Sequence, residues 1–326
     1  MGSITDVPGV RVGHASDFDA ITGCTVILFD DVANGAVDLR GGGTSTRQID
    51  SLLPHNTFGK IQGVLLTGGS AYGLDASGGV MRYLEERGQG FQTCYGLVVP
   101  AVPTAVLFDL GIGNGEIRPD AKMGYEACLK ATSNPVEDGS VGVGTGATIG
   151  KLLGLKNATK GGIGSASHTF ENGVVLGVLV AVNAFGDVIS IEDGGIIAGV
   201  RNSNDGVKFL GTVNLVKSEV KKELEPFMST TLAVVVTNAG FSKQELFRIS
   251  AIGQTGITRV ISPSNTTADG DLVFAISCGD SQGDANTCGI IAAELISDAI
   301  ISAVKKARSL GGIPCWRDIH KRKKHI

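Results

Sequence analysis

The chain has 326 residues, 42% of them hydrophobic and 18% charged, with a formal net charge of −4. This is enough apolar material for a substantial core in one large domain or two intimate ones, and it excludes a disordered or collagen-like chain. The mildly acidic balance gives no field that would draw a nucleic-acid partner. The start, Met1-Gly2-Ser3-Ile4-Thr5-Asp6, lacks the basic and apolar regions of a signal peptide. No apolar run reaches the ~18 residues of a membrane span, so a cytoplasmic protein without a membrane partner is expected. The six cysteines are scattered without CxxC spacing and read as reduced, mostly buried thiols. The five histidines are dispersed and give no metal-ligand spacing. Forty-eight glycines cluster beside apolar runs; they either make the tight turns of a loop-rich sandwich or supply backbone amides to a site.

In chain order, Cys24 to Phe29 and Gly63 to Leu66 read as short buried strands rich in Val, Ile and Leu. Ala71 to Arg87 has helical character, with Gly88 as its C-cap. Gly96 to Val99 reads as another strand, Asp120 to Ala131 as a helix, and Val174 to Val182 as a strand. Lys217 to Met228 is the most linker-like stretch: it is charged and interrupted by Pro226. The strand Leu232 to Thr237 follows, then a helix from Ser242 to Ile257 that opens on a capping-box pair, Ser242 and Glu245. Asp284 to Leu310 is the longest helical stretch, closed by Gly311-Gly312. The basic tail His320-Lys321-Arg322-Lys323-Lys324-His325 is expected to be a solvated, frayed terminus. Strands occur in runs as well as alternating with helices. That favours a layered α+β sandwich, because strands buried on both faces need helices outside them.

The junction at Ser229-Thr230-Thr231, where a polar segment feeds hydroxyl residues into an apolar strand, is unusual. A threonine hydroxyl is a poor nucleophile unless a base takes its proton. At a chain N-terminus the α-amine, with a pKa near ~8, is such a base. Here an internal peptide bond would have to break first, by an N-to-O acyl shift and hydrolysis. On the residues alone the plainer reading is a β-prone strand start. Asn183 stands in the apolar run Val178 to Ala184, and a buried amide must be hydrogen-bonded. It either satisfies backbone at a strand end or donates to an oxyanion.

The segment Thr230-Thr231-Leu232-Ala233-Val234-Val235-Val236-Thr237-Asn238-Ala239 resembles the block after the self-cleavage site in the L-aminopeptidase/D-esterase family. That family includes the β-aminopeptidases and the nylon-oligomer (6-aminohexanoate-oligomer) hydrolases. The resemblance covers nearly the whole chain in order. It begins with Asp6-Val7-Pro8-Gly9-Val10-Arg11-Val12-Gly13-His14, Thr22-Gly23-Cys24-Thr25-Val26 and Asp38-Leu39-Arg40-Gly41-Gly42. The most distinctive block is Leu66-Thr67-Gly68-Gly69-Ser70-Ala71-Tyr72-Gly73-Leu74-Asp75-Ala76. It continues through Gly144-Thr145-Gly146-Ala147-Thr148-Ile149-Gly150-Lys151, Lys160-Gly161-Gly162-Ile163-Gly164-Ser165-Ala166-Ser167 and Val180-Ala181-Val182-Asn183-Ala184-Phe185-Gly186-Asp187. The last block is Ala268-Asp269-Gly270-Asp271.

The resemblance implies a four-layer αββα sandwich of the N-terminal-nucleophile type, one hydrolase domain cut into 1–229 and 230–326. It implies cleavage between Ser229 and Thr230, with Thr230 as nucleophile; the neighbouring hydroxyls of Ser229 and Thr231 are the alternatives, since the nylon hydrolases have Asn at the place of Ser229. Lys151 matches a lysine near the nucleophile, where the alternative is a solvated loop lysine. Asn183 becomes the oxyanion donor. Asp269 and Asp271 match an acidic pair supporting nucleophile and lysine, against an ordinary Asp-Gly-Asp turn. Tyr72 and Phe108 are candidates for the substrate pocket; Phe108 has no hydroxyl where the nylon hydrolases carry a tyrosine. The implied reaction is hydrolysis of an N-terminal amide in short peptides, amino-acid amides or esters, β-peptides or 6-aminohexanoate oligomers, with no metal or organic cofactor. The implied assembly keeps both fragments together in a homo-oligomer, expected to be a tetramer. The alternatives are an acyltransferase of the ornithine acetyltransferase type and an unprocessed, non-catalytic member.

Overall fold

The computed structural model describes residues 2–218 and 229–323, so most of the expected linker lies outside the described residues. Nine strands form one sheet: β1 (Val10–Asp17), β2 (Thr22–Leu39), β3 (Thr46–Arg47), β4 (Lys60–Thr67), β5 (Thr104–Val106), β6 (Gly162–Thr169), β7 (Val175–Asn183), β8 (Thr230–Ala239) and β9 (Leu272–Ser281). The order is β6-β7-β8-β9-β2-β4-β5-β3, with β1 also paired to β2. The first half of β2 pairs with β1 and β4 and its second half with β9; β4 rejoins β2 at Ala33 and Asn34 after a register shift between Leu28 and Ala33. A strand of 18 residues with an irregularity at its middle lets the sheet fold over so that its halves face each other.

The side-chain alternation of each strand serves this layering. On β8, Leu232, Val234 and Val236 point between the two halves, where they meet Ile27, Val64 and Leu66. Ala233 and Val235 point the other way, onto α4 (Lys243–Val260) and α5 (Ala285–Lys306), once α1 (Ala76–Glu85), α2 (Ala121–Leu129) and α3 (Thr212–Lys217) are counted before them. The outer face of the other half, Val26, Leu28 and Leu65, packs on Val80 and Leu84 of α1 and Ala127 of α2. Each of the buried Val, Leu and Ile side chains contributes about 1.5–3 kcal/mol. The result is an αββα sandwich. Both β8 and β9 lie inside the sheet, between β7 and β2, so residues on either side of position 229 build one core.

Local signals in the sequence account for several boundaries. Ser242 and Glu245 form the reciprocal capping box that opens α4, and the Asp120 carboxylate accepts the Met123 N–H at 2.9 Å to cap α2. The expected helix from Ala71 begins instead as a 3-10 turn, Ser70–Asp75, because Gly69 and Ser70 both have positive φ. Gly96 to Val99 is not a buried strand: only Val98–Val99 pairs, with Phe91–Gln92, in a two-rung surface hairpin that leaves Tyr95 85% exposed. A pair this short has no face to bury. The tail is not frayed as far as Lys323, since α6 (Trp316–Lys323) docks through the fully buried Ile319; Lys324 and His325 lie outside the described residues. By length and composition α5 could cross a membrane, contrary to the expectation from run length, but 67% of its most apolar window is buried in this core. The six cysteines are unpaired, four of them buried.

Candidate active site

Thr230 is the first residue of β8 and lies opposite Asn183, the last residue of β7. One residue earlier, Ser229 leaves the β7 ladder and forms a parallel bridge with Asp269. The Ser229 N–H donates to the Ala268 carbonyl at 3.2 Å, and the Gly270 N–H donates to the Ser229 carbonyl at 2.8 Å. The Thr230 hydroxyl donates to that same carbonyl at 2.5 Å. The Ser229–Thr230 peptide bond is therefore held in place, and both residues are buried.

The loop before β9 makes the opposite wall. Asp271 accepts the Thr231 N–H at 2.6 Å through Oδ1 and the Asn265 N–H at 2.8 Å through Oδ2. Asp269 accepts the Phe185 N–H at 3.2 Å through Oδ1, while Oδ2 takes the Thr266 N–H and hydroxyl at 3.1 and 2.6 Å. These two carboxylates are thus more than a turn: they tie the loop to β8 on one side and to the end of β7 on the other. Burial, and then the neighbouring Asp269 charge, push the Asp271 carboxyl up to about 7. The Asp38-to-Gly42 motif lies along the same loop. Arg40 and Gly41 donate to the Asp271 carbonyl, Gly42 to that of Thr266, and Gly43 to that of Asp269. A Cβ on Gly41 would stand 2.3 Å from the Asp271 nitrogen, so only glycine permits this approach.

Lys151 reaches the site from the other direction. Its Nζ donates to the Asn183 carbonyl and to Asn183 Oδ1, both at 2.8 Å, and to the Thr148 carbonyl at 3.3 Å. It is therefore a ligand of the strand end rather than a solvated loop lysine. Burial lowers its pKa to about 7; the charges of Asp269, Asp271 and Asp109 oppose this shift, and that of Lys160 adds to it. Asn183 Oδ1 also accepts the Thr148 N–H at 2.9 Å, and its Nδ2 donates to the Phe108 carbonyl at 3.0 Å. Phe108 thus meets the site through its main chain, a contact that needs no side-chain hydroxyl. Tyr72 is not brought into this cluster by any described contact; it is 58% exposed beneath the Arg118 guanidinium, 3.9 Å from its ring centre.

A second buried lysine braces the cluster from behind. Lys160 donates to the Thr145 carbonyl at 3.0 Å and to that of Ala147 at 2.5 Å, and burial lowers its pKa to about 7 against the pull of Asp109. The sequence placed Lys160 in a recognisable block without assigning it a role. Gly270, Thr266 and the Gly41–Gly43 strap likewise lie within or beside the blocks that carry the family resemblance, but main-chain donors carry no residue-type signal.

The arrangement is a hydroxyl set against a polarised carbonyl, beside an amine with lowered proton affinity and a pair of loop-fixing carboxylates. The model of peptidase family S58 matches residues 2–314. The chain belongs to peptidase family S58. An uncharacterized aminopeptidase of Mycobacterium tuberculosis is 37% identical over 347 residues, with 98% of each chain covered. A 6-aminohexanoate-oligomer endohydrolase of Kocuria sp. is 30% identical over 316 residues, covering 92% of this chain and 85% of the relative. Among solved structures, the L-aminopeptidase D-Ala-esterase/amidase of Ochrobactrum anthropi, described as a variant of the Ntn hydrolase fold, matches with a TM-score of 0.74 at 18% identity, over 99% of this chain and 94% of that one. A Burkholderia sp. β-aminopeptidase matches at 0.70 and 20% identity, over 100% and 94%. The fold is that of the Ntn-type aminopeptidases, and this S58 member is a hydrolase.

Proposed function

We propose that the chain cuts its own Ser229–Thr230 bond and then acts as an aminopeptidase, with the exposed Thr230 as nucleophile on the N-terminal amide of short peptides or amino-acid oligomers. The observation that carries this reading is the Thr230 hydroxyl held against the carbonyl group of the residue before it, hydrogen-bonded to its oxygen at 2.5 Å; an N-to-O acyl shift carries the same hydroxyl oxygen onto the adjoining carbonyl carbon. Before the cut, the Thr230 nitrogen is an amide and cannot serve as base. Lys151, with its pKa lowered to about 7 and seated on the cross-strand partner of Thr230, is the group able to accept the proton. After the cut, the new α-amine takes over this role, and Asn183 is the oxyanion donor for substrate. Acyl transfer to Thr230 leaves an ester that water hydrolyses. Fragments 1–229 and 230–326 remain together on this reading, because β8 and β9 are inner strands of the sheet. The unpaired cysteines support a reducing, cytoplasmic setting.

The names of the relatives supply the substrate classes to assay: aminoacyl amides, β-peptides and 6-aminohexanoate oligomers. Intact mass and N-terminal sequencing of purified protein test the cut, with Thr230 expected at a new N-terminus. Active enzyme without that terminus would end the proposal. The Thr230→Ala protein is expected to stay one chain and to lack amide hydrolysis.

A further inference from the structure

The carbonyl attacked in self-cleavage and the carbonyl attacked in substrate hydrolysis are different groups, and the structure holds the first of them in a definite place. The Ser229 oxygen accepts the Gly270 N–H at 2.8 Å. Asn183, the donor assigned to substrate, has its Nδ2 on the Phe108 carbonyl at 3.0 Å. We infer that the backbone N–H of Gly270 is the oxyanion donor of self-cleavage, so that cutting the chain and hydrolysing substrate draw on different donors.

The chemistry requires a donor at this point. When Thr230 Oγ1 bonds to the Ser229 carbonyl carbon, the carbonyl electrons move onto the Ser229 oxygen and charge develops there. The intermediate collapses by breaking the bond to the Thr230 nitrogen, which takes up the proton lost by the hydroxyl. An ester links Ser229 to Thr230 Oγ1, and water then releases the Ser229 carboxylate and the free hydroxyl. A main-chain N–H already on the oxygen stabilises that charge without having to move. Gly270 is fixed from both sides: the carbonyls of Asp269 and Asp271 accept from Gly43 and from Arg40 and Gly41, and the two carboxylates bind β8 and the end of β7. The position also tolerates little bulk. A Cβ on Gly270 would stand 3.0 Å from both Thr230 Oγ1 and the Gly43 carbonyl. This explains why a residue between two carboxylates is the one without a side chain.

The inference rests on Thr230 being the self-cleavage nucleophile, and the test separates the two. Full-length Gly270→Pro and Gly270→Ala are purified beside the wild type, and the appearance of the two fragments is timed on denaturing gels. Both variants add a Cβ, but only proline removes the N–H. Gly270→Pro is expected to cut at least about 10²-fold more slowly than Gly270→Ala, the usual effect of losing one oxyanion donor. Hydroxylamine, which cleaves an accumulated ester, is expected to leave Gly270→Pro uncut, because the block precedes the ester. As a second measurement, Asn183→Ala is expected to lose more of its amide hydrolysis than of its self-cleavage; Lys151 keeps its bonds to the main-chain carbonyls of residues 148 and 183 in that variant. A folded Gly270→Pro that cuts as fast as Gly270→Ala overturns the inference. So does an Asn183→Ala chain that loses self-cleavage in proportion to hydrolysis, which would decide the matter were the proline variant not to fold. A wild-type chain that never yields a Thr230 terminus overturns the underlying reading instead.

Discussion

Lys151→Arg is the sharpest perturbation of the site, because it keeps the positive charge and the donors to Asn183 while removing the ability to lose a proton near neutrality. An ordinary lysine, with a pKa near 10.5, carries a free amine in about 3 of 10⁴ molecules at pH 7. At a pKa of about 7, roughly half of the molecules have it, a gain of about 10³ in available base. The sign follows from the direction of the shift: the free amine is present above pH 7 and is lost as pH falls through it. Wild-type self-cleavage is therefore expected to rise through pH 7 and level off above it. In Lys151→Arg the side chain stays protonated throughout, so self-cleavage is expected to fall by about 10²–10⁴, the usual contribution of a general base, and any limb left near pH 7 belongs to Asp271, whose carboxyl is also pushed up to about 7. The assay is a gel time course between pH 5.5 and 9, with a melting curve to confirm the fold. A folded arginine variant that cuts within tenfold of wild type would refute Lys151 as proton acceptor.

Three further outcomes follow from the geometry. Asp271→Asn removes a charge that raises the Lys151 pKa, so the limb of the pH profile should move to lower pH; a shift to higher pH would contradict this electrostatic account. Gly79→Ala would place a Cβ 1.7 Å from the Ala121 carbonyl, where α1 crosses α2, and should destabilise the fold by about 1–3 kcal/mol by overpacking, read as a drop in urea midpoint. Arg201 is fully buried and donates to the carbonyls of Lys156, Ala158, Ser203, Asn204 and Gly206. Arg201→Met takes a donor from each of them, the buried Ala158 carbonyl included, and should cost at least about 2 kcal/mol, seen as a lower melting temperature by calorimetry.

Much of the layered fold was legible because β7 and β8 are nearly continuous runs of Val, Leu and Ala, the pattern of strands covered on both sides. The capping pair Ser242 and Glu245 marked its helix for a local reason that tertiary packing did not override, and Asp120, the first residue of the stretch read as a helix, proves to be the cap of α2. Strand β6, Gly162-Ile163-Gly164-Ser165-Ala166-Ser167-His168-Thr169, escaped notice because its small residues answer to a distant neighbour: a Cβ on Gly164 would lie 2.0 Å from the Ala299 carbonyl of α5. Strands β1 and β9 were missed in a similar way, their partners being set by the fold-over of β2. In the site, Lys151, Asn183, Asp269 and Asp271 were named from the resemblance, and the structure brings all four around Thr230. Tyr72 stayed outside the cluster. The carbonyl of Phe108 and the amide of Gly270 could not be read in advance, because their parts are played by atoms every residue shares.

The placement of β8 and β9 in the middle of the sheet has a consequence for the life history of the molecule. The uncut chain can unfold and refold alone, as a single-molecule event. Once the bond before Thr230 is gone, the same native core is a complex of two chains, and recovery from denaturation becomes a bimolecular search that slows on dilution. On the proposed reading, the cut would record that folding has already happened once. A processed molecule that loses its core at low concentration has no comparable route back, so its persistence is governed by how slowly β8 leaves its neighbours.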